Sequence, residues 1–149
     1  MPRSPFLSPC LLLCLSTCLS IGAIACRSEG PPSIRGQATL SIELQKTLKP
    51  TATLYVIARR PGTLTGPPVA VKRFPPPLLF PIAFTLSETD FMLPAQKLEG
   101  NFTLMARVSQ SGIATPVGEG DIEGFAAASY VPVGAEDVQI ELDQVRKSR

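Results

Sequence analysis

Apolar and polar residues alternate in short runs along most of the chain that follows the first 35 residues. A period of two residues is typical of a β-strand with one face in a core and the other in water. Turns containing Pro or Gly separate these runs. The pattern predicts seven short strands, at 36–44, 53–59, 69–74, 82–86, 102–109, 122–127 and 138–142. Strands of this number and spacing favour an all-β domain, an antiparallel sandwich or a partly open barrel.

Three segments refine this prediction. Residues 53–59 are apolar in both phases of the alternation, which indicates a central strand covered on both faces. Residues 75–77 are all Pro, which ends the third strand and protects a sheet edge, because Pro has no N–H for the ladder. Residues 87–90 offer a capping sequence for about one helical turn. We expect the core to contain Leu40, Ile42, Leu54, Val56, Val71, Phe84, Leu104, Val108, Ile122 and Ile140.

The first 25 residues have the pattern of a secretory signal peptide. Residues 9–26 carry no charge and follow Arg3. The segment ends in small residues before Cys26, which resembles the bacterial lipobox, except that Ala23 stands where Leu is usual. The sequence therefore predicts a lipoprotein in which Cys26 carries diacylglycerol and acyl chains such as palmitate. Two alternatives are an ordinary secreted protein cut near Ala25 and a short signal anchor.

This interpretation divides the chain into four parts. They are a signal peptide at 1–25, a flexible linker at 26–35, a β-sandwich domain at 36–145 and a basic tail at 146–149. The four cysteines, Cys10, Cys14, Cys18 and Cys26, all lie at or before the predicted cleavage site. The exported domain therefore has no pair of thiols for an internal disulfide and depends on packing. Arg27 is not the Asp typical of inner-membrane retention, so we expect a periplasm-facing anchor in the outer membrane.

Composition removes several classes of function. The chain has no His, which excludes imidazole-based triads and zinc sites, and its net charge is only +2 with dispersed basic residues. Nucleic-acid binding is not expected. The one acidic cluster that is a candidate for binding calcium consists of Glu119, Asp121 and Glu123. The surrounding sequence does not supply the full loop of oxygen ligands that a calcium site needs. We expect no catalytic residue, no metal site and no cofactor.

The order of the predicted strands and loops resembles one known family. The closest segment runs from Ala106 to Pro116 and continues from Gly120 to Gly124. It is similar to the C-terminal periplasmic domain of the bacterial cytochrome c maturation proteins that chaperone apocytochrome c. The resemblance covers nearly all of 36–145 and implies a β domain with a link to cytochrome c assembly. Family members also carry membrane helices and usually a tetratricopeptide region, where this chain has a lipoprotein signal.

The loop between the fifth and sixth strands is the candidate partner-binding site. Polar loops on a rigid sandwich are where recognition usually lies. The alternative is that these residues only build a turn and that Arg107 pairs with Asp121 or Glu123 across strands. The resemblance implies that the partner is apocytochrome c or a cytochrome c maturation protein. The competing function is a structural or adaptor lipoprotein of the envelope unrelated to haem. The candidate residues are Arg107, Ser109, Ser111, Gly112, Pro116 and Asp121.

Overall fold

The computed structural model describes residues 30–63, 66–93 and 97–147. The predicted signal peptide and Cys26 lie outside these residues. Helical structure in the described part is limited to α1 (Ile42–Gln45) and a 3₁₀ turn at Glu88–Asp90. The strands are β1 (Ser33–Leu40), β2 (Thr53–Arg59), β3 (Ala70–Phe74), β4 (Ile82–Ser87), β5 (Asn101–Ser109), β6 (Ile122–Phe125), β7 (Val131–Pro132), β8 (Val138–Leu142) and β9 (Gln144–Val145).

The strands form two sheets that pack face to face as a sandwich. The small sheet has the order β4-β1-β8, and the large sheet has the order β3-β2-β5-β6-β9, with β7 paired to β5. All strand pairs described are antiparallel except β1–β8, which is parallel. The sheets do not close into a barrel. The predicted all-β sandwich is confirmed, with two very short strands, β7 and β9, beyond the seven predicted.

The two ends of the sandwich carry different loops. We call the end at which the chain enters β1 at Ser33 the entry end, and the end at which β1 finishes at Leu40 the far end. The loop between β2 and β3 lies at the entry end, and α1 and the loop between β5 and β6 lie at the far end.

The two sheets are connected along one side of the sandwich by the segment β8–β9, which passes from the small sheet to the large sheet. β8 pairs with β1 in the small sheet, and two residues later β9 pairs with β6 in the large sheet. The backbones approach so closely there that a Cβ on Gly124 would lie 1.9 Å from the carbonyl oxygen of Glu141. Only Gly fits at this contact, so residue 124 determines how tightly the sheets are joined.

The core lies between the two sheets and follows the predicted alternation closely. Eight of the ten expected residues are buried in it, namely Leu40, Leu54, Val56, Phe84, Leu104, Val108, Ile122 and Ile140. Val71 is only partly buried and packs on the opposite face of the large sheet. Ile42 is 68% exposed, so its assignment to the core is wrong.

The misplacement of Ile42 has a local cause. The predicted strand 36–44 ends at Leu40, and Ser41 caps a single helical turn by accepting the backbone N–H of Leu44 at 3.3 Å. Apolar residues at 40, 42 and 44 fit a strand, but a Ser cap changes the direction of the backbone before the alternation is complete. The turn then carries the chain from β1 in the small sheet to β2 in the large one.

The domain is longer at both ends than the sequence indicated. β1 begins at Ser33, and Ile34 is fully buried, so residues 33–35 belong to the sandwich and not to the linker. Arg146 also belongs to it. Its backbone N–H donates to the carbonyl of Asp121 at 2.8 Å, and its guanidinium pairs with Glu123 at 3.2 Å.

Other local predictions agree with the structure. β2 lies between β3 and β5 and is buried on both faces, as the apolar run 53–59 indicated. β3 is an edge strand, and it ends immediately before Pro75. The 3₁₀ turn follows Ser87, whose backbone N–H donates to the carboxylate of Asp90 at 2.9 Å. Within the described residues, no helix is long and apolar enough to cross a bilayer.

Candidate functional site: the outer face of the large sheet

The predicted loop between β5 and β6 is held together mainly from within. Ser109 is fully buried, and its hydroxyl donates to the carbonyl of Ile113 at 2.8 Å. The Tyr55 hydroxyl donates to the carbonyl of Gly112 at 2.9 Å, which fixes the loop to β2. Gly112 has φ +78°, and a Cβ there would lie 2.8 Å from the Thr51 carbonyl oxygen. These residues therefore build the loop rather than present polar groups to a partner.

Asp121 closes the same loop and is almost completely buried. Its two carboxylate oxygens accept the backbone N–H of Gln110 at 2.9 Å and that of Gly118 at 3.0 Å. The carboxylate of Glu123 instead pairs with Arg146, and Glu119 is exposed. Asp121 and Glu123 thus have different partners, and Glu119 faces solvent. Among residues 30–63, 66–93 and 97–147, no group of three His, Cys, Asp or Glu side chains is arranged to hold a metal.

Arg107 lies under this loop without an acidic partner. It is only 7% exposed, and its Nη2 donates to the carbonyl of Ala114. Glu123 is the register partner of Arg107 on β6. Within the described part of the chain, however, no carboxylate lies within 4.0 Å of the Arg107 guanidinium, and the Nε of Arg107 has no hydrogen-bond partner. The cross-strand pairing of Arg107 with Asp121 or Glu123, which belonged to the alternative interpretation of this loop, is therefore wrong. Ser111 and Pro116, the other predicted site residues, are exposed at the loop surface.

The large sheet carries apolar side chains on the face that points away from the core. Ile57 and Met105 alternate with core residues and are 5% and 7% exposed. They are register partners, and Val71 and Phe125 extend the same row across β3 and β6. The outer face of an antiparallel sandwich is ordinarily polar and solvated. Packing of the core therefore does not explain why the outer face of four strands carries an apolar row.

This row ends in an open cleft at the entry end, which we call the aromatic cleft. It has a volume of about 330 Å³ and lies between β5, the loop after β6 and the loop after β2. Phe125 and Tyr130 are 37% and 56% exposed. The Thr103 hydroxyl donates to the carbonyl of Ser129 at 3.4 Å and holds the loop after β6 against β5. The lining residues include Gly62, Thr103, Phe125, Ala126, Ala128 and Tyr130.

A larger hollow on the small sheet has a different character. It measures about 470 Å³ and lies against the outer face of β1, β4 and β8. Polar side chains cross it: Gln37 donates to Gln139 at 2.8 Å, and Arg35 pairs with Glu136 at 3.6 Å with both side chains more than half exposed. Such mutually satisfied, solvated groups are common on sheet surfaces. The aromatic cleft is the better candidate for a contact with a partner.

The sequence placed the candidate site on the loop between β5 and β6, whereas the apolar row and the aromatic cleft lie on the outer face of the large sheet. Apolar residues in both phases of 53–59 signalled that the outer face of β2 is covered. Nothing in the sequence singled out Phe125 or Tyr130, because the cleft forms where segments distant in the chain meet. A two-sheet β-sandwich with an apolar row on the outer face of its large sheet is the class of domain that these observations define.

Comparison with known proteins agrees with this architecture. The family model described as the cytochrome c-type biogenesis protein H Ig-like domain matches residues 34–143, and the chain belongs to this family. The match begins one residue inside β1 and ends one residue after β8. No curated protein and no solved structure matches the chain. The family connects the chain to c-type cytochrome maturation and its machinery, on the periplasmic side of the cell envelope.

Proposed function

We propose that the chain is a lipid-anchored, periplasm-facing binding module accessory to c-type cytochrome maturation, and that it contacts an apocytochrome or a maturation protein. Membership of the family supports the process. The sequence around Cys26 supports the anchor, and Arg27 supports the outer membrane as its location. Anchoring would keep the domain near other envelope components while leaving the sandwich in the aqueous periplasm.

The observation that carries the binding role is the apolar row of the large sheet, which runs into the aromatic cleft. Burying apolar surface is favourable by roughly 25 cal/mol per Å². The aromatic rings of the cleft are partly exposed in the isolated domain, so a partner that covers them gains this free energy on binding. Aromatic side chains are enriched among the residues that dominate protein interfaces. Phe125 and Tyr130 are therefore the residues proposed to contact the partner.

A binding role also agrees with the chemistry available. The chain has no His, and the buried carboxylate of Asp121 is occupied by two backbone N–H groups. The buried Arg107 cation interacts with a backbone carbonyl beneath the loop. No described pair of nucleophile and base can be named for catalysis. We propose that the domain acts without catalysis and without a bound cofactor.

Affinity purification from envelope extracts tests this proposal. The tagged full chain is compared with a Phe125→Ser/Tyr130→Ser variant and with Leu79→Ser, a control at an exposed apolar residue of the far end. We expect mass spectrometry to identify maturation proteins or apocytochromes with the wild type and the control, but not with the cleft variant. Equal recovery with all three would move the contact away from this face. Recovery of none would favour the alternative, an envelope adaptor unrelated to haem.

A further inference from the structure

The aromatic cleft has the dimensions of a side-chain pocket. Binding sites for small ligands typically measure about 300 to 1,000 Å³, so a cleft of about 330 Å³ holds one or two side chains. Its walls include two aromatic rings, Phe125 and Tyr130, and the small residues Ala126 and Ala128 leave room between the loop and β5. A cleft of this shape suits a large apolar side chain from an extended segment.

The side chain of Arg59 lies beside the cleft, on the same face of the large sheet. Arg59 is the register partner of Thr103, which lines the cleft, and register partners project from the same face with Cβ atoms about 5 Å apart. The Nη1 of Arg59 donates to the carbonyl of Gly66, while its buried Nε has no hydrogen-bond partner among the residues that the structure describes. A carboxylate is the acceptor that fits a guanidinium best, and it would bind Arg59 through nitrogens other than the buried Nε.

Arg59 and the next residue, Arg60, place two cations near the cleft. The lining residues carry no charge, and Arg60 is exposed directly after Arg59. In the part of the chain that the structure describes, no carboxylate lies within 4.0 Å of either guanidinium. An apolar pocket with an uncompensated cationic edge is complementary to an apolar group that has an acid next to it.

We propose that the aromatic cleft recognises an acidic peptide motif, in which a large apolar side chain enters between Phe125 and Tyr130 and an adjacent carboxylate binds Arg59. This inference rests on the proposed binding function and names the feature of the partner that is recognised. The apolar contact supplies most of the affinity. The carboxylate gives specificity, because a neutral isostere leaves the guanidinium without an anion.

Peptide fluorescence tests the motif directly, because the chain contains no Trp. The probe is a capped pentapeptide with a central Trp beside an Asp, and the matched probe has Asn in place of that Asp. With the full chain in detergent micelles, we expect saturable binding of the acidic probe below about 1 mM. The Asn probe should bind about tenfold more weakly, as the loss of one charge-assisted hydrogen bond predicts.

Two variants separate the contributions of the cleft and of the cation. Arg59→Gln should remove the preference for the acidic probe while leaving the Asn probe unchanged, whereas Tyr130→Ala should weaken both probes by a similar factor. Arg73→Gln, at an exposed cation elsewhere on the large sheet, is the matched control and should behave as wild type. Circular dichroism of each variant verifies that the sandwich is retained.

The proposal would be overturned if the wild type bound the Asp and Asn probes with equal affinity or bound neither probe. It would also be overturned if Arg59→Gln still preferred the Asp probe. If light scattering shows that the wild type dimerises and that Tyr130→Ala abolishes the dimer, the cleft binds a second copy and the proposal is also overturned. None of these results affects the purification experiment. Maturation proteins retained on a chain that binds neither probe would leave the proposed function intact and refute only the motif.

Discussion

The carboxylate of Asp121 accepts the backbone N–H of Gln110 at 2.9 Å, and this bond joins the residue after β5 to the residue before β6. The same carboxylate accepts the N–H of Gly118. Gln110 in turn accepts the backbone N–H of Lys49 through its side chain and the hydroxyl of Thr51 through its carbonyl. A buried acid therefore organises three segments of the far end.

Replacing Asp121 should lower stability more than replacing a surface acid. Asp121→Ala leaves two buried N–H groups without an acceptor, and we expect a loss of about 3 kcal/mol in the free energy of unfolding. Glu119→Ala, an exposed acid in the same loop, should change it by less than about 0.5 kcal/mol. Urea denaturation measures both. Similar stabilities of the two variants would contradict the structural role of Asp121.

A methyl group at Gly124 should disrupt the junction of the two sheets. The added Cβ would lie 1.9 Å from the Glu141 carbonyl oxygen and 2.9 Å from the Leu142 Cα, and both neighbours are backbone. We expect Gly124→Ala to cost more than about 3 kcal/mol, or to prevent folding. The control is Gly30→Ala, where no atom of the residues that the structure describes lies within 4 Å of the new Cβ. Thermal melts that coincide for both variants would refute the close approach of β6 and β8.

Two isoleucines offer a matched test of the core. Ile140 is fully buried between the sheets, whereas Ile42 is 68% exposed on α1. Ile140→Ala should destabilise the domain by about 2 to 5 kcal/mol, and Ile42→Ala by less than about 1 kcal/mol. Chemical denaturation gives both values. A larger loss at Ile42 would mean that the chain continues as a strand through residue 44.

The sequence predicts the sandwich well because the burial of each strand is visible in its own alternation. Apolar residues at every second position identify β1, β5 and β8 without any knowledge of their partners. Which strands pair with one another cannot be predicted in the same way. The parallel pairing of β1 with β8 brings together residues about 100 positions apart, which no local pattern encodes.

The candidate site was less predictable for a related reason. Arg107 and Asp121 are polar residues at a loop, and polarity in a sequence suggests exposure. Here both are buried: two backbone N–H groups satisfy the carboxylate of Asp121, whereas Arg107 has one loop carbonyl for its Nη2 and, within the described residues, no partner for its Nε. The cleft around Phe125 and Tyr130 depends on how a loop packs against a distant strand, which lies beyond what periodicity describes.

Lipidation at Cys26 is a prediction from the sequence alone. Cys26→Ser removes the thiol that would receive diacylglycerol, so we expect an uncleaved precursor or a soluble product, without incorporation of labelled palmitate. Cys18→Ser, within the predicted signal peptide, should leave processing and labelling unchanged. Membrane fractionation with gel analysis distinguishes the products. A membrane-bound Cys26→Ser product of normal mature size would exclude the lipoprotein interpretation.

The most direct test of the central claim measures holocytochrome c in cells that lack the gene. Haem-stained gels quantify covalently attached haem after complementation with wild type, the Phe125→Ser/Tyr130→Ser variant or the Leu79→Ser control, at equal protein levels. We predict that deletion lowers the amount of c-type cytochrome, that wild type and control restore it, and that the cleft variant does not. Unchanged c-type cytochrome on deletion, or full restoration by the cleft variant, would contradict the claim that this domain assists maturation through the outer face of its large sheet.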